Sequence, residues 1–218
     1  MKSDTMKKLD KCRVTVEVAN VASDVMLYTV EALVKAGISS IAIPYKTLDS
    51  SGDNDETMKI SGLKKCFGGD VIVGASNVFC DRQVKIAKSA GADFVSSSVV
   101  NRDVLERAKT LNIAAFAGAY TATEVMDALI NGADLVNLFP TKCDGGLGHA
   151  EAIIRKLPFA KIAATDNLRY EDIFPLAEIG IKYFEFGDAL SAPEKANNGE
   201  YASITEEARR YIGLINNL

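Results

Sequence analysis

Four short segments of the chain share one shape: Lys35-Ala36-Gly37-Ile38, Ser89-Ala90-Gly91-Ala92, Ile130-Asn131-Gly132-Ala133 and Glu178-Ile179-Gly180-Ile181. Each reads as a helix end, a glycine able to take positive φ, and a small or apolar residue that opens a strand. The glycines lie 54, 41 and 48 residues apart. Each interval holds two βα units of about 24 residues. Strands that alternate with helices and have no linker between them must run parallel, with right-handed crossovers.

The remaining pattern agrees. Strands are predicted over Arg13–Val18, Ser40–Ile43, Asp70–Gly74, Phe94–Ser96, Ala114–Gly118, Leu135–Leu138, Lys161–Ala164 and Lys182–Phe186. Helices are predicted from Val25, capped by Ser23-Asp24, and from Asp81, Asn101, Ala150 and Tyr170. Another, short, runs to about Cys66 after a polar loop over Leu48–Glu56. Thr121-Ala122-Thr123-Glu124 is a capping box. Eight strands and eight helices give an α/β fold, a (β/α)8 TIM barrel with a parallel eight-stranded sheet. Residues 1–218 are expected to form one barrel domain, with 1–12 as a lead-in and 203–215 as a final helix. No G-x-G-x-x-G follows the first strand, which argues against an open dinucleotide-binding sheet. No cofactor is expected.

The chain has 218 residues, 48% hydrophobic and 25% charged, with a net charge of −4. That balance argues against a nucleic-acid surface. No apolar run nears the roughly 18 residues that would suggest a membrane span, and the N-terminus lacks a signal-peptide core, so a cytoplasmic protein is expected. Cys12, Cys66, Cys80 and Cys143 are too scattered for a structural zinc site. They read as reduced, mostly buried thiols, Cys143 being the most exposed. A Ser-His or Cys-His nucleophile would need His149, the sole histidine.

In such a barrel, chemistry sits at the C-terminal ends of the strands. That selects Glu17, Lys46, Asn77, Ser97, Ser98, Tyr120, Thr121, Asn137, Lys142, Thr165, Asp166, Asn167, Gly187 and Asp188. Thr121 also reads as a helix cap, and Ser98 could cap the helix after it. Asn77, Ser97 and Thr165 could equally serve as turn residues. Phe139 could be packing at the mouth.

The chain resembles the 2-keto-3-deoxy-6-phosphogluconate / 4-hydroxy-2-oxoglutarate aldolases over about residues 13–215. The likeness is carried by Val73-Gly74-Ala75-Ser76-Asn77-Val78, Gly91-Ala92-Asp93-Phe94, Thr121-Ala122-Thr123-Glu124 and Asn137-Leu138-Phe139-Pro140 with Gly145-Gly146. The tail from Asn198 to Thr205 adds to it. The resemblance implies a carbon–carbon lyase acting on a small 2-oxo acid such as pyruvate, and a homotrimer. It places Lys46, Asn77, Ser98, Thr121, Phe139, Pro140, Thr165 and Glu17 around the substrate. Thr165 matches a threonine near the bound 2-oxo acid.

Asn137 stands where the family has its Schiff-base lysine, and an amide nitrogen cannot form that imine. Ala42 aligns with the family's glutamate base. Lys46 replaces a carboxylate-binding arginine without its bidentate fork, and Glu17 falls near another arginine. Asp166-Asn167 and Gly187-Asp188 replace the glycines and serine that hold a phosphate. A carboxylate about 5 Å from a phosphate costs on the order of 3 kcal/mol, more than the roughly 2 a helix N-terminus returns. A phosphorylated substrate is therefore disfavoured.

Three readings follow. In the first, the lyase works through a displaced amine, Lys142 or Lys46. In the second, Glu17, Asp166 and Asp188 hold a divalent metal that polarises a carbonyl. In the third, the barrel only binds a small acid or serves as structure. No metal site is assigned on sequence grounds, and no nucleic-acid or membrane partner is expected.

Overall fold

The computed structural model describes residues 2–50, 53–143 and 145–218. Ser51 and Gly52 of the predicted polar loop, and Asp144 before the glycine pair, lie outside the described residues. The order is α1 (Lys2–Cys12), β1 (Val14–Glu17), α2 (Met26–Lys35), β2 (Ser40–Pro44), α3 (Asp53–Phe67), β3 (Ile72–Ser76), α4 (Asp81–Ser89) and β4 (Phe94–Ser97). It continues with α5 (Arg102–Thr110), β5 (Ala114–Ala119), α6 (Ala122–Ile130), β6 (Leu135–Leu138), α7 (Gly146–Lys156), β7 (Ile162–Ala164), α8 (Tyr170–Glu178) and β8 (Tyr183–Phe186). Short α9 (Asp188–Ser191) and α10 (Pro193–Asn197) precede α11 (Tyr201–Asn216). The strands close into a barrel in the order β1 to β8, every pair parallel.

Alternation along each strand separates two buried layers. Val14, Val16, Ile41, Ile43, Val73, Val95, Phe184 and Phe186 face the helices and join one large core. Ala42, Ile72, Phe94, Ala114, Phe116, Leu135, Ala163 and Tyr183 face inward and fill the lower barrel. Phe94 and Phe116 stack there with centroids 4.7 Å apart. Gly74 is required beside them, because a Cβ would come within 2.3 Å of the Phe94 ring.

Several local expectations need correction. Residues 2–12 are not merely a lead-in: they form α1, whose Leu9 is buried among the inward-facing apolar side chains. Tyr183 donates to Asp10 at 2.6 Å and Lys161 pairs with the same carboxylate. Tertiary burial holds this helix, which turns Thr5 and Leu9, one turn apart, toward the barrel. The helix α3 starts inside the predicted loop, at Asp53, where Asp53, Asp55 and Glu56 suit the positive helix end. Ser23-Asp24 does not cap α2; Val25 is the N-cap and makes no side-chain cap bond. Ser98 does not cap α5, because Asn101 accepts from the N–H groups of Asp103 and Val104 instead. The cysteines are free but not buried. Cys66 is the exposed one, on the outer face of α3, and Cys143 is half-buried with its thiol directed at the Pro140 carbonyl.

Candidate functional site

The upper end of the barrel changes character. The inward-facing positions above the apolar layers are Glu17, Ser76, Ser96, Asn137, Thr165 and Glu185, and all six line one open cavity of about 720 Å³. Parallel register brings them together: Asn137 on β6 lies opposite Gly118 on β5 and Ala163 on β7.

Asn137 is buried. Its Nδ2 donates to Ser96 Oγ at 3.0 Å and to Glu185 Oε2 at 3.3 Å. The Thr165 hydroxyl donates to the other Glu185 oxygen at 3.3 Å. Thr165 is itself fixed by a buried brace: its N–H donates to Thr141 Oγ1 at 2.9 Å, and Thr141 donates to the Leu138 carbonyl at 2.6 Å. Glu185 has protein on every side but the cavity, so its surface is only half-buried. Burial and the neighbouring Glu17 carboxylate push its pKa up to about 7, against the smaller opposing effect of the Thr165 and Asn137 hydrogen bonds. Glu17 is also raised, by burial first and by Asp188 last, while the nearby Ser76 hydroxyl favours its ionised form. Two carboxyls thus meet at the cavity floor under conditions that oppose double ionisation.

The cavity gathers most of the residues selected from sequence. Asn77, Ser97, Ser98, Phe139, Lys142, Asp166, Asn167, Gly187 and Asp188 also line it. Ser98 donates to Asn77 Oδ1 at 3.3 Å. Lys142 reaches the wall, but its ammonium pairs with Asp172 of α8 at 2.9 Å. That contact directs the side chain of Lys142 toward α8, away from a carbonyl that would sit beside Asn137 on the cavity floor. Lys46 lies apart, in an adjoining recess of about 260 Å³ that shares Glu17 and Asn77 with the main cavity. Lys59 of α3 lines the same recess and pairs with Asp55 at 2.5 Å. Pro140 is not among the cavity's lining residues, and its peptide bond to Phe139 is cis. His149 also lies off the cavity, stacked on Tyr120 and in contact with its carbonyl at 2.7 Å. Among the described residues, no three His, Cys, Asp or Glu side chains converge as a metal site would require.

Thr121 works as a cap. It accepts from the Glu124 N–H, while the Glu124 carboxylate accepts from the N–H groups of Thr121 and Tyr120. Those bonds hold the Glu124 carboxyl below its usual range. Thr121→Ala is expected to cost about 1 kcal/mol in denaturant unfolding and to leave ligand affinity unchanged by calorimetry.

Glu185 was not among the residues selected from sequence. The available signal was a carboxylate in the run Tyr183-Phe184-Glu185-Phe186, since both faces of a barrel strand are enclosed and a charge there needs a reason.

Comparison with known proteins agrees with this architecture. The family model "Aldolase: KDPG and KHG aldolase" matches residues 5–204. A 2-dehydro-3-deoxy-phosphogluconate aldolase from Haemophilus influenzae is 25% identical over 77% of this chain and 76% of its own. The KHG/KDPG aldolase of Escherichia coli K12 is 28% identical over 66% of this chain and 67% of its own. A KDPG aldolase from Legionella pneumophila, solved with pyruvate captured as a covalent carbinolamine, superposes with a TM-score of 0.79 at 21% identity, over 91% of this chain and 93% of that one. The 4-hydroxy-2-oxoglutarate/2-dehydro-3-deoxyphosphogluconate aldolase from TTHB1 gives 0.80 at 20% identity, over 97% and 98%. With the family match covering nearly the whole closed barrel, the chain belongs to the KDPG and KHG aldolase family.

Proposed function

We propose that the protein is a carbon–carbon lyase acting on an unphosphorylated 4-hydroxy-2-oxo acid by acid–base catalysis, without a Schiff base. The observation that carries this reading is the Glu17–Glu185 carboxyl pair on the cavity floor, beside an amide where the family has its lysine. Glu17 as carboxylate takes the proton of the substrate C4 hydroxyl. The C3–C4 bond breaks, C4 becomes an aldehyde, and the electron pair passes through C2–C3 to the 2-oxo oxygen. Glu185 as carboxylic acid gives that oxygen its proton, leaving the enol of pyruvate. Glu17 then returns its proton to C3 while Glu185 regains one from the enol hydroxyl, so both groups end as they began. A carboxyl that keeps its proton near neutral pH can serve as the acid, and Asn137 and Thr165 hold it in place. Lys46, in the adjoining recess, is assigned to the substrate carboxylate. A cytoplasmic homotrimer belongs to the same proposal, on family grounds.

The test is pyruvate release from a panel of unphosphorylated 4-hydroxy-2-oxo acids. Glu185→Gln and Glu17→Gln are each expected to lower kcat by at least about 100-fold. Pyruvate with borohydride, followed by intact mass, should leave no adduct. An adduct on Lys142 would replace this mechanism by an imine. Binding of the panel without any turnover by the native protein would reduce the barrel to a small-acid binder.

A further inference from the structure

The recess beside the main cavity holds a lysine that a helix would not ordinarily enclose. On α3 the buried positions are Asp53, Glu56, Ile60 and Leu63. Lys59 stands three residues after Glu56 and four before Leu63, so it shares their inward face. Its side chain is 10% exposed, and it lines the recess. An apolar residue would fill such a position without cost, whereas an enclosed ammonium must be compensated.

The compensation within the protein is partial. Lys59 Nζ donates to Asp55 Oδ2 at 2.5 Å, its one hydrogen bond among the described residues. An ammonium carries three N–H groups, so the others are left for an acceptor that enters the recess. Asp55 is itself half-exposed and shared: the Ser23 hydroxyl donates to its other oxygen at 3.4 Å, and Lys46 acts on it electrostatically. Lys46 is exposed and makes no ion pair among the described residues.

Charge gives the second lysine its weight, because Glu17 lines the recess as well. With Lys46 as the sole cation, Glu17 and Asp55 would leave the recess net negative, and a ligand carboxylate would be repelled. Lys59 removes that excess and adds donors. Glu17 and Asn77 also line the main cavity. A 2-oxo acid with its carbonyl over the cavity floor therefore has a continuous path for its carboxylate into the recess.

We propose that Lys59 is a second contact for the substrate carboxylate, which the recess binds through the ammonium groups of Lys59 and Lys46 together. This rests on the lyase reading above and adds to it a residue that selects for a free carboxylate. Two ammonium groups on separate elements, one after β2 and one on α3, do the work of a single forked guanidinium. Asp55 competes with the ligand for the N–H groups of Lys59 and so limits how tightly the carboxylate is held.

The experiment is calorimetric titration of the full chain with pyruvate and with pyruvamide, its uncharged isostere. Pyruvate is expected to bind at least about tenfold more tightly than pyruvamide. Lys59→Met, which suits an enclosed helix position, should weaken pyruvate at least about tenfold and leave pyruvamide within about twofold. Asp55→Asn, at a half-exposed position, should act in the opposite direction and tighten pyruvate at least about threefold. Lys142→Met removes an equal charge at the cavity wall and should leave pyruvate within about twofold. Equal binding of the two probes by the native protein, or no binding of either, would overturn the proposal. So would a Lys59→Met variant that keeps its affinity for pyruvate or loses both probes alike, weaker pyruvate binding by Asp55→Asn, or an equal loss in Lys142→Met. Turnover is not read in these titrations. A carboxylate preference set by Lys59 without lyase activity keeps the subsite and removes the reaction; lyase activity without that preference removes this inference alone.

Discussion

Glu185→Gln should make the protein more stable at pH 8 and leave its stability nearly unchanged at pH 5. The folded-state pKa of this carboxyl is raised from 4.5 to about 7. A raised value means that the native state binds the proton more tightly than the unfolded chain does. The resulting stability is fully present below about pH 4.5 and is lost as pH rises through about 7. A shift of that size corresponds to about 3 kcal/mol for a fully enclosed group. Cavity water reaches Glu185, so about 2 kcal/mol is expected. Glutamine has no charge to desolvate; its oxygen can accept from Asn137 while its N–H donates to the Thr165 hydroxyl, which can also accept. Urea unfolding of both proteins at pH 5 and pH 8 measures the difference. Equal stabilities at pH 8 would show that Glu185 ionises without cost and would remove it as the acid. The same substitution that stabilises the barrel is expected to end its reaction, which is the usual relation between a site and its scaffold.

Gly118→Ala should be the most damaging single-methyl change in the barrel. A Cβ there would lie 2.1 Å from the Ser98 carbonyl oxygen and 2.7 Å from its Cα. Those atoms are backbone, at the end of the neighbouring strand β4, and cannot rotate away as a side chain would. The strands must part, at a cost of at least about 3 kcal/mol. Gly118 also stands opposite Asn137 in the β5–β6 register, so the displacement reaches the cavity from both sides. Thermal unfolding reads the first effect and titration with pyruvate the second. A variant that melts within a degree of the native protein would show that the two strands are less rigidly joined than their packing implies.

Fold and site were unequally legible in the sequence. The barrel could be read because its signals are local: a glycine at each helix end, a capping box at Thr121, apolar alternation in the strands. Helix α1 could not, since Leu9 finds its apolar partners only once eight distant strands have closed around it. Among the candidate site residues, Glu17, Asn77, Asn137, Thr165 and Asp188 share a position at a strand end and line one cavity. The same rule, together with the family's lysine and glutamate positions, drew attention away from Glu185, which lies within its strand. Lys142 was visible as a nearby amine, but its partner Asp172 is thirty residues further on and belongs to another helix. No spacing rule connects them. Lys59 escaped notice for the same reason, being a residue of α3 that only the closed fold sets beside Lys46.

The helix α1 gives the barrel a property that its strands alone would not. With Leu9 and the aromatic layers sealing the lower end, the carboxyl pair meets solvent only from the upper end, by the mouth and by the recess that Glu17 also lines. A ligand that fills the mouth and reaches into the recess isolates Glu17 and Glu185 from the medium for as long as it stays. Protons taken from one carbon or oxygen of the substrate then have no destination except another atom of the same molecule. The barrel becomes a one-ended vessel, and in deuterated water the deuteron on the substrate's C4 hydroxyl would be delivered to the methyl group of pyruvate.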